Sequence, residues 1–238
     1  MKTVAVILAG GIGSRMGEKK PKQFLTVKGK PIIVYTLENF ENSNRIDEIL
    51  IVCVKGWFKH LNKLVEKYNL KKVKHIVEGG NTGHDSTRNA IFYLEDKLND
   101  DDVVIIHDAA RPLLPSLIIN DMLDKTEEFG NASASLPCYE TMLYTDDGIK
   151  GNKELDRKKV MRVQTPQAYK YNLLKDSYHK AEKENRHDFV YADLTVSYYG
   201  YDIYFSKGFS NNIKITTKED IALFKSLLKF SEEELCSK

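Results

Sequence analysis

Arg15 and Lys22 stand just behind a cluster of glycines, in the run Ala9-Gly10-Gly11-Ile12-Gly13-Ser14-Arg15-Met16 followed by Pro21-Lys22-Gln23. Glycines let main-chain N–H groups approach an anion, and cations beside them add charge where phosphates would lie. The chemistry suggested is nucleotide phosphate binding; a plain tight turn between strand and helix is the other reading of the glycines alone. Two common phosphate loops are excluded. A P-loop needs Lys followed by Ser or Thr directly after its last Gly, whereas Ser14, Arg15 and Met16 follow Gly13. A dinucleotide loop needs a third small residue and a later acid for the ribose, whereas Met16 fills the first place and Ile33 to Tyr35 carry no charge. Hydride transfer is therefore disfavoured.

Three further groups carry possible chemistry. Val103-Val104-Ile105-Ile106-His107-Asp108-Ala109-Ala110-Arg111-Pro112 ends an apolar run in an acid. Asp108 could hold Mg²⁺ bridging triphosphate oxygens, because this ion usually takes one or two carboxylates together with substrate phosphates. Alternatively it pairs with Arg111 or caps the next helix. His107 is read as structural, since an already ionised phosphate needs no base before it attacks. Glu78-Gly79-Gly80-Asn81 and Asp85-Ser86-Thr87-Arg88 form a second glycine element, whose glycines admit close approach by a flat ligand. Ser86 either caps the helix or hydrogen-bonds a base. Lys214, in Asn212-Ile213-Lys214-Ile215-Thr216, is either an ordinary solvated lysine or a third cation of the same site.

The elements that must position these residues alternate. Apolar, β-branched runs at Val4–Leu8, Ile49–Val54, His75–Val77, Val103–His107, Ala132–Leu136, Ile203–Phe205 and Ile213–Ile215 read as strands. Between them Ile32, Ile33, Thr36, Leu37 and Phe40 make one helical face, and Phe58, Leu61, Leu64, Val65 and Tyr68 another. Leu117, Ile118, Met122 and Phe129 make a third. The pattern predicts an α/β fold with a mostly parallel twisted sheet and helices on both faces, Rossmann-like, whose ligands bind beyond the carboxyl ends of the strands. Residues 138–164 break the alternation with Tyr144-Thr145-Asp146-Asp147-Gly148, a hairpin signal, in a polar stretch that has little to bury unless it meets a partner subunit. We expect one domain over 1–238 with 138–164 as a projecting β-arm for dimerisation, and a frayed tail from Ser231 to Lys238.

Bulk properties limit the partners. The 36 basic and 34 acidic residues leave a formal charge of +2, too balanced for nonspecific nucleic-acid binding. Cys53, Cys138 and Cys236 form no C-x-x-C pair and suggest reduced thiols. No apolar run approaches the ~18 residues of a membrane span, and no secretory leader opens the chain. A cytoplasmic protein bound to neither membrane nor nucleic acid is expected.

Taken in order, Leu8 to Met16, Pro21-Lys22-Gln23, Gly79-Gly80 with Ser86, His107 to Pro112, Thr141, Asp156-Arg157, Gln164-Thr165-Pro166-Gln167 and Asn212-Ile213-Lys214 resemble the polyol-phosphate cytidylyltransferases, which make CDP-methylerythritol and CDP-ribitol. The resemblance runs from Val4 to about Leu228. It implies a nucleotidyltransferase that moves CMP from CTP to a small polyol phosphate and releases pyrophosphate, with Mg²⁺ as cofactor. Arg15, Lys22 and Lys214 would be catalytic, and Asp108 would hold the metal. Ala9, Gly10, Gly11, Gly13, Gly80, Asn81 and Ser86 would bind the nucleotide. Arg111, Thr141, Arg157 and Thr165 would contact substrate, Thr141 and Arg157 from the arm across a homodimer interface.

Some positions depart from the family pattern. Gly83 stands where members usually carry Arg, a charge His84 or Arg88 could replace, and Asn211 stands where some carry Asp. A family acidic segment is echoed in Ala192-Asp193-Leu194-Thr195. Motif spacing looks more like the methylerythritol-phosphate enzymes and Leu143 more like the ribitol-phosphate ones, and on balance methylerythritol phosphate is slightly favoured as the acceptor over D-ribitol 5-phosphate. The competing readings are a hexose-1-phosphate nucleotidyltransferase using another NTP and a nucleotide-binding protein without catalysis.

Overall fold

The computed structural model describes residues 1–11 and 20–230. Strands β1 (Thr3–Ala9), β4 (Glu48–Cys53), β5 (Val73–Glu78), β6 (Val103–Asp108), β7 (Asn131–Pro137), β10 (Met161–Lys170) and β11 (Phe205–Lys207) form one sheet in the order β11-β7-β10-β6-β1-β4-β5. All neighbours run parallel except β10, which is antiparallel to both β6 and β7. Short hairpin pairs β2 (Thr26–Val27) with β3 (Lys30–Pro31) and β8 (Met142–Tyr144) with β9 (Lys153–Leu155) lie apart from it.

The apolar runs are continuous because the central strands are covered on both faces, and alternate residues serve opposite layers. Ala5, Ile7, Ile49, Ile51 and Ile105 pack under α1 (Ile32–Glu41), α2 (Phe58–Lys67) and α4 (Ser116–Phe129). Val4, Val6, Leu50, Val52, Val104 and Ile106 pack under α3 (Gly83–Tyr93), α5 (Tyr171–Lys183) and α6 (Ala192–Tyr198). A third cluster joins Val27, Ile32, Ala110 and Ile215 to Phe224 of α7 (Lys218–Leu227). After β5 the chain crosses back to the other side of β1 to form β6, so the strand order reverses between β1 and β6. In open α/β sheets the crevice beyond such a reversal is where ligands bind.

Four expectations are corrected. Ile213–Ile215 is no strand: it alternates like one, but among the described residues its backbone makes a single hydrogen bond, from the Ile215 N–H to the Ala110 carbonyl at 2.8 Å. The strand expected at Ile203–Phe205 lies at Phe205–Lys207. The α4 face is Ile118, Ile119, Met122, Leu123 and Thr126, whereas Leu117 and Phe129 are exposed. Finally, Met161 to Gln164 belong to β10 inside the main sheet, which leaves 138–160 as the arm segment outside it. The Ser231–Lys238 tail lies outside the described residues.

His107 is fully buried on β6, and its Nε2–H donates to the Arg111 carbonyl at 3.0 Å. Burial pushes its pKa from 6.5 to about 4, outweighing that hydrogen bond. The folded value lies below the unfolded one, so the stabilisation is complete above the unfolded pKa and is lost as pH falls through the folded one. Thermal melts should show ~3 kcal/mol of stability draining away on acidification across that interval. His107→Gln is expected to flatten the slope; an unchanged slope would count against His107 as its source.

Candidate active site

Two cavities meet beyond the carboxyl ends of β1, β5 and β6. The first, of about 230 Å³, is lined by Ala9, Gly10, Gly11, Lys22, Gly80, Asn81 and Ser86 among others. The second, of about 440 Å³, is lined by Thr165, Gln167 and the segment from His187 to Ala192. Leu8, Thr82, Gly83, Asp108 and Lys214 line both, so they form the waist of one two-lobed crevice.

Backbone proximity shapes the first lobe. A Cβ on Gly79 would lie 3.0 Å from the Gly10 Cα, so the two glycine elements pack main chain to main chain there, and one on Gly80 would collide with Asp85 at the start of α3. Gln23 ties the loop to its strand, its Nε2 donating to the Ala9 carbonyl at 2.7 Å and the Gly11 carbonyl at 3.0 Å. Both its neighbours are anchored too: Lys22 to Phe24 form a tight turn, and Phe24 stacks on Trp57 at 4.8 Å. Ser86 does not cap α3. Thr82 does, in a reciprocal box with Asp85, while the Ser86 hydroxyl accepts the Gly80 N–H at 3.1 Å. Thr82 and Asp85 have the spacing of a capping box, so the sequence already carried that signal.

At the waist, Asp108 is nearly buried and holds two cations. Lys214 Nζ lies 3.1 and 3.0 Å from its two oxygens, and Arg111 Nε lies 3.2 Å from Oδ2. The Thr165 hydroxyl accepts the Asp108 N–H at 3.1 Å. Burial raises the Asp108 pKa, but Lys214 and Arg111 outweigh it and hold the carboxyl below its ordinary value. The pairing with Arg111, left open by sequence, therefore exists alongside a second pairing with Lys214. Lys214 faces the waist because Ile213 and Ile215 turn the other way, into the third cluster.

Other expected residues fall elsewhere. Gly13 and Arg15 lie outside the described residues. Arg111 is not among the described lining residues; its other end donates to the Asn212 carbonyl at 2.7 Å, so it braces Asp108 from behind. Neither His84 nor Arg88 fills the place left by Gly83: His84 stacks on Tyr178 at 4.8 Å, and Arg88 reaches Glu182 at 3.1 Å. Thr141 and Arg157 sit on the arm and line neither lobe, with Arg157 donating to the Tyr139 carbonyl at 2.9 Å. Gln23, Gln167 and Asn212 had no assigned role; Asn212 donates to the Thr165 carbonyl at 2.8 Å and so links the Lys214 segment to β10.

Comparison with known proteins agrees with this geometry. The family model described as IspD, 2-C-methyl-D-erythritol 4-phosphate cytidylyltransferase, matches residues 3–229. The ribitol-5-phosphate cytidylyltransferase of Lacticaseibacillus paracasei is 42% identical over 96% of this chain and 98% of its own length. The 2-C-methyl-D-erythritol 4-phosphate cytidylyltransferase of Clostridium novyi is 36% identical over 96% and 97%. The crystal structure of the Francisella tularensis 2-C-methyl-D-erythritol 4-phosphate cytidylyltransferase superposes with a TM-score of 0.80 at 26% identity, covering 95% of this chain and 99% of that one. With a crevice at the strand-order reversal, cations at its waist and this likeness over nearly its whole length, the chain belongs to the IspD family and is a cytidylyltransferase acting on a polyol phosphate.

Proposed function

We propose that the chain transfers CMP from CTP to D-ribitol 5-phosphate, with the nucleotide in the glycine lobe and the acceptor in the second. The observation that carries this arrangement is the shared waist, where Asp108 and Lys214 line both lobes. A transferred α-phosphate must lie between donor and acceptor, and the waist is where the lobes meet. The choice of ribitol rests on relatives: the L. paracasei protein is 42% identical against 36% for the C. novyi one. Leu143 on the arm points the same way.

In this reading an oxygen of the acceptor phosphate attacks the α-phosphorus, that new bond forms, and the bond to the β-phosphate oxygen breaks to release pyrophosphate. The acceptor phosphate is ionised at neutral pH, so the protein positions and neutralises rather than removing a proton. Lys22, Lys214 and Arg15 compensate the charge that grows on the pentacoordinate phosphorus. Gly10, Gly80, Asn81 and Ser86 form a narrow slot for the base. Asp108 would hold Mg²⁺: its carboxyl stays ionised at the waist, and no group of three or more His, Cys, Asp or Glu among the described residues is placed to hold a metal ion. That donor set fits an ion shared with substrate phosphates rather than a cage made wholly by protein. When bound, the ion would supply positive charge against the phosphates of the nucleotide.

The arm supports a homodimer. Tyr139, Met142, Leu143, Tyr144 and Ile149 are all exposed on it, an apolar surface unusual for a solvated hairpin. A partner's arm would bring its Thr141 and Arg157 to the acceptor lobe, Arg157 by a fork that suits phosphate oxygens. No helix among the described residues is long and apolar enough to cross a membrane, and the protein is read as cytoplasmic. The purified protein with Mg²⁺ and CTP should release pyrophosphate with ribitol 5-phosphate at least about tenfold faster, in kcat/KM, than with methylerythritol 4-phosphate. The reverse preference would assign the other acceptor, and release with UTP in place of CTP would sink the nucleotide assignment.

A further inference from the structure

Asp193, near the start of α6, is a buried carboxylate with no part in the chemistry above. It is 7% exposed, and its oxygens accept from three side chains of the sheet: Ser133 Oγ and Gln167 Nε2, each at 2.6 Å, and the Tyr169 hydroxyl. Burial raises its pKa against the pull of those donors.

Two of its neighbours line the second lobe. Gln167 is 1% exposed, and because an ionised carboxylate only accepts, its amide nitrogen is committed to Asp193. Its Oε1 is then a buried oxygen without a hydrogen-bond partner. Such a group needs an explanation, and a donor brought by water or ligand is the usual one. Tyr191, the residue before α6, places its ring 5.6 Å from the Lys214 ammonium. The wall carrying it is braced: Arg186 bonds both oxygens of Asp188, at 3.2 and 2.8 Å, and lies over the rings of Phe189 and Tyr198.

We propose that Asp193 is the positioning residue of the acceptor lobe, holding the Gln167 amide so that the carbonyl takes a hydroxyl of the polyol while the Tyr191 ring, just before α6, lies along its carbon chain beside Lys214. The inference rests on reading the second lobe as the acceptor's. A polyol phosphate offers what the two groups lack: hydroxyl donors for an orphaned carbonyl, and C–H faces for an aromatic surface. Asparagine in place of Asp193 would turn an N–H donor toward donors and release the Gln167 amide to rotate.

Steady-state kinetics of Asp193→Asn, Gln167→Met, Tyr191→Leu and Tyr191→Phe, with CTP and ribitol 5-phosphate varied in turn, test this. The expected result is a KM for the polyol phosphate raised about tenfold or more in the first three, with the KM for CTP within about twofold. Tyr191→Phe should recover most of what Tyr191→Leu loses. An acceptor KM within about twofold of wild type in Gln167→Met and Tyr191→Leu would overturn the proposal, even where Asp193→Asn fails to fold. So would equal changes in both constants, which mark general disruption. Wild-type protein that releases no pyrophosphate with any polyol phosphate would overturn the acceptor reading itself, and the inference with it; wild-type turnover with unmoved variants overturns the inference alone.

Discussion

Asp108→Ala is expected to lower kcat by on the order of 10²–10³ or more while leaving CTP binding intact or tighter. The opposite signs follow from what the carboxylate does at the waist. It neutralises Lys214 and Arg111, whose nitrogens lie 3.0 and 3.2 Å away. Without it the waist is more positive, and a triphosphate is attracted more strongly when no divalent ion is present. In the proposed reaction turnover falls nonetheless, because Lys214 loses the contact that holds it at the waist and the proposed metal loses its protein ligand. Calorimetric titration with CTP, paired with kcat from pyrophosphate release, separates the two effects. A kcat within tenfold of wild type would refute the assigned role. Loss of CTP binding together with loss of fold would show instead that the buried cations cannot be left unpaired, since breaking such a pair typically costs about 3–5 kcal/mol. Asp108→Asn, which keeps the shape, then serves as the second variant.

The parts of the molecule that were legible in the sequence are those whose signal is local. β1, β4 and β6 are largely apolar runs because both faces are covered, and the glycines of the site follow β1 while its acid ends β6. β10 was not legible: Met161 to Lys170 contains Arg162, Gln164, Pro166 and Gln167, and a proline normally argues against a central strand. The sheet accommodates it by a break in register between Val163 and Gln167, opposite β7. Ile213 and Ile215 alternate around Lys214 as in a strand, yet their packing in the cluster with Phe224 produces the same pattern without a ladder. Asp193 and Gln167 lie far apart in the chain and meet only through the fold, so neither spacing nor motif could pair them. The motif around Arg111 points to a substrate contact, and the fold adds what no local signal carries, a pairing with Asp108 on one side and a bond to the Asn212 carbonyl on the other.

Arg157 poses the sharpest test, because within one chain it reaches neither lobe. If the acceptor phosphate is held by the partner's arm, each site combines Lys22 of one subunit with Arg157 of the other. Lys22→Ala and Arg157→Ala should then each lower kcat/KM by on the order of 10², Arg157→Ala through the acceptor and Lys22→Ala through the nucleotide. Mixing the two inactive proteins under conditions that exchange subunits should restore activity. A mixed dimer carries both defects in one site and neither in the other, and half of randomly paired dimers are mixed, so about a quarter of wild-type activity should return. If Arg157 instead served its own subunit's site, mixed dimers would hold two singly defective sites and nothing would return. The exposed Tyr139, Leu143 and Ile149 supply the control: charged substitutions there should abolish both subunit exchange and turnover, because apolar arm surface that no longer meets a partner leaves every acceptor lobe without its arginine.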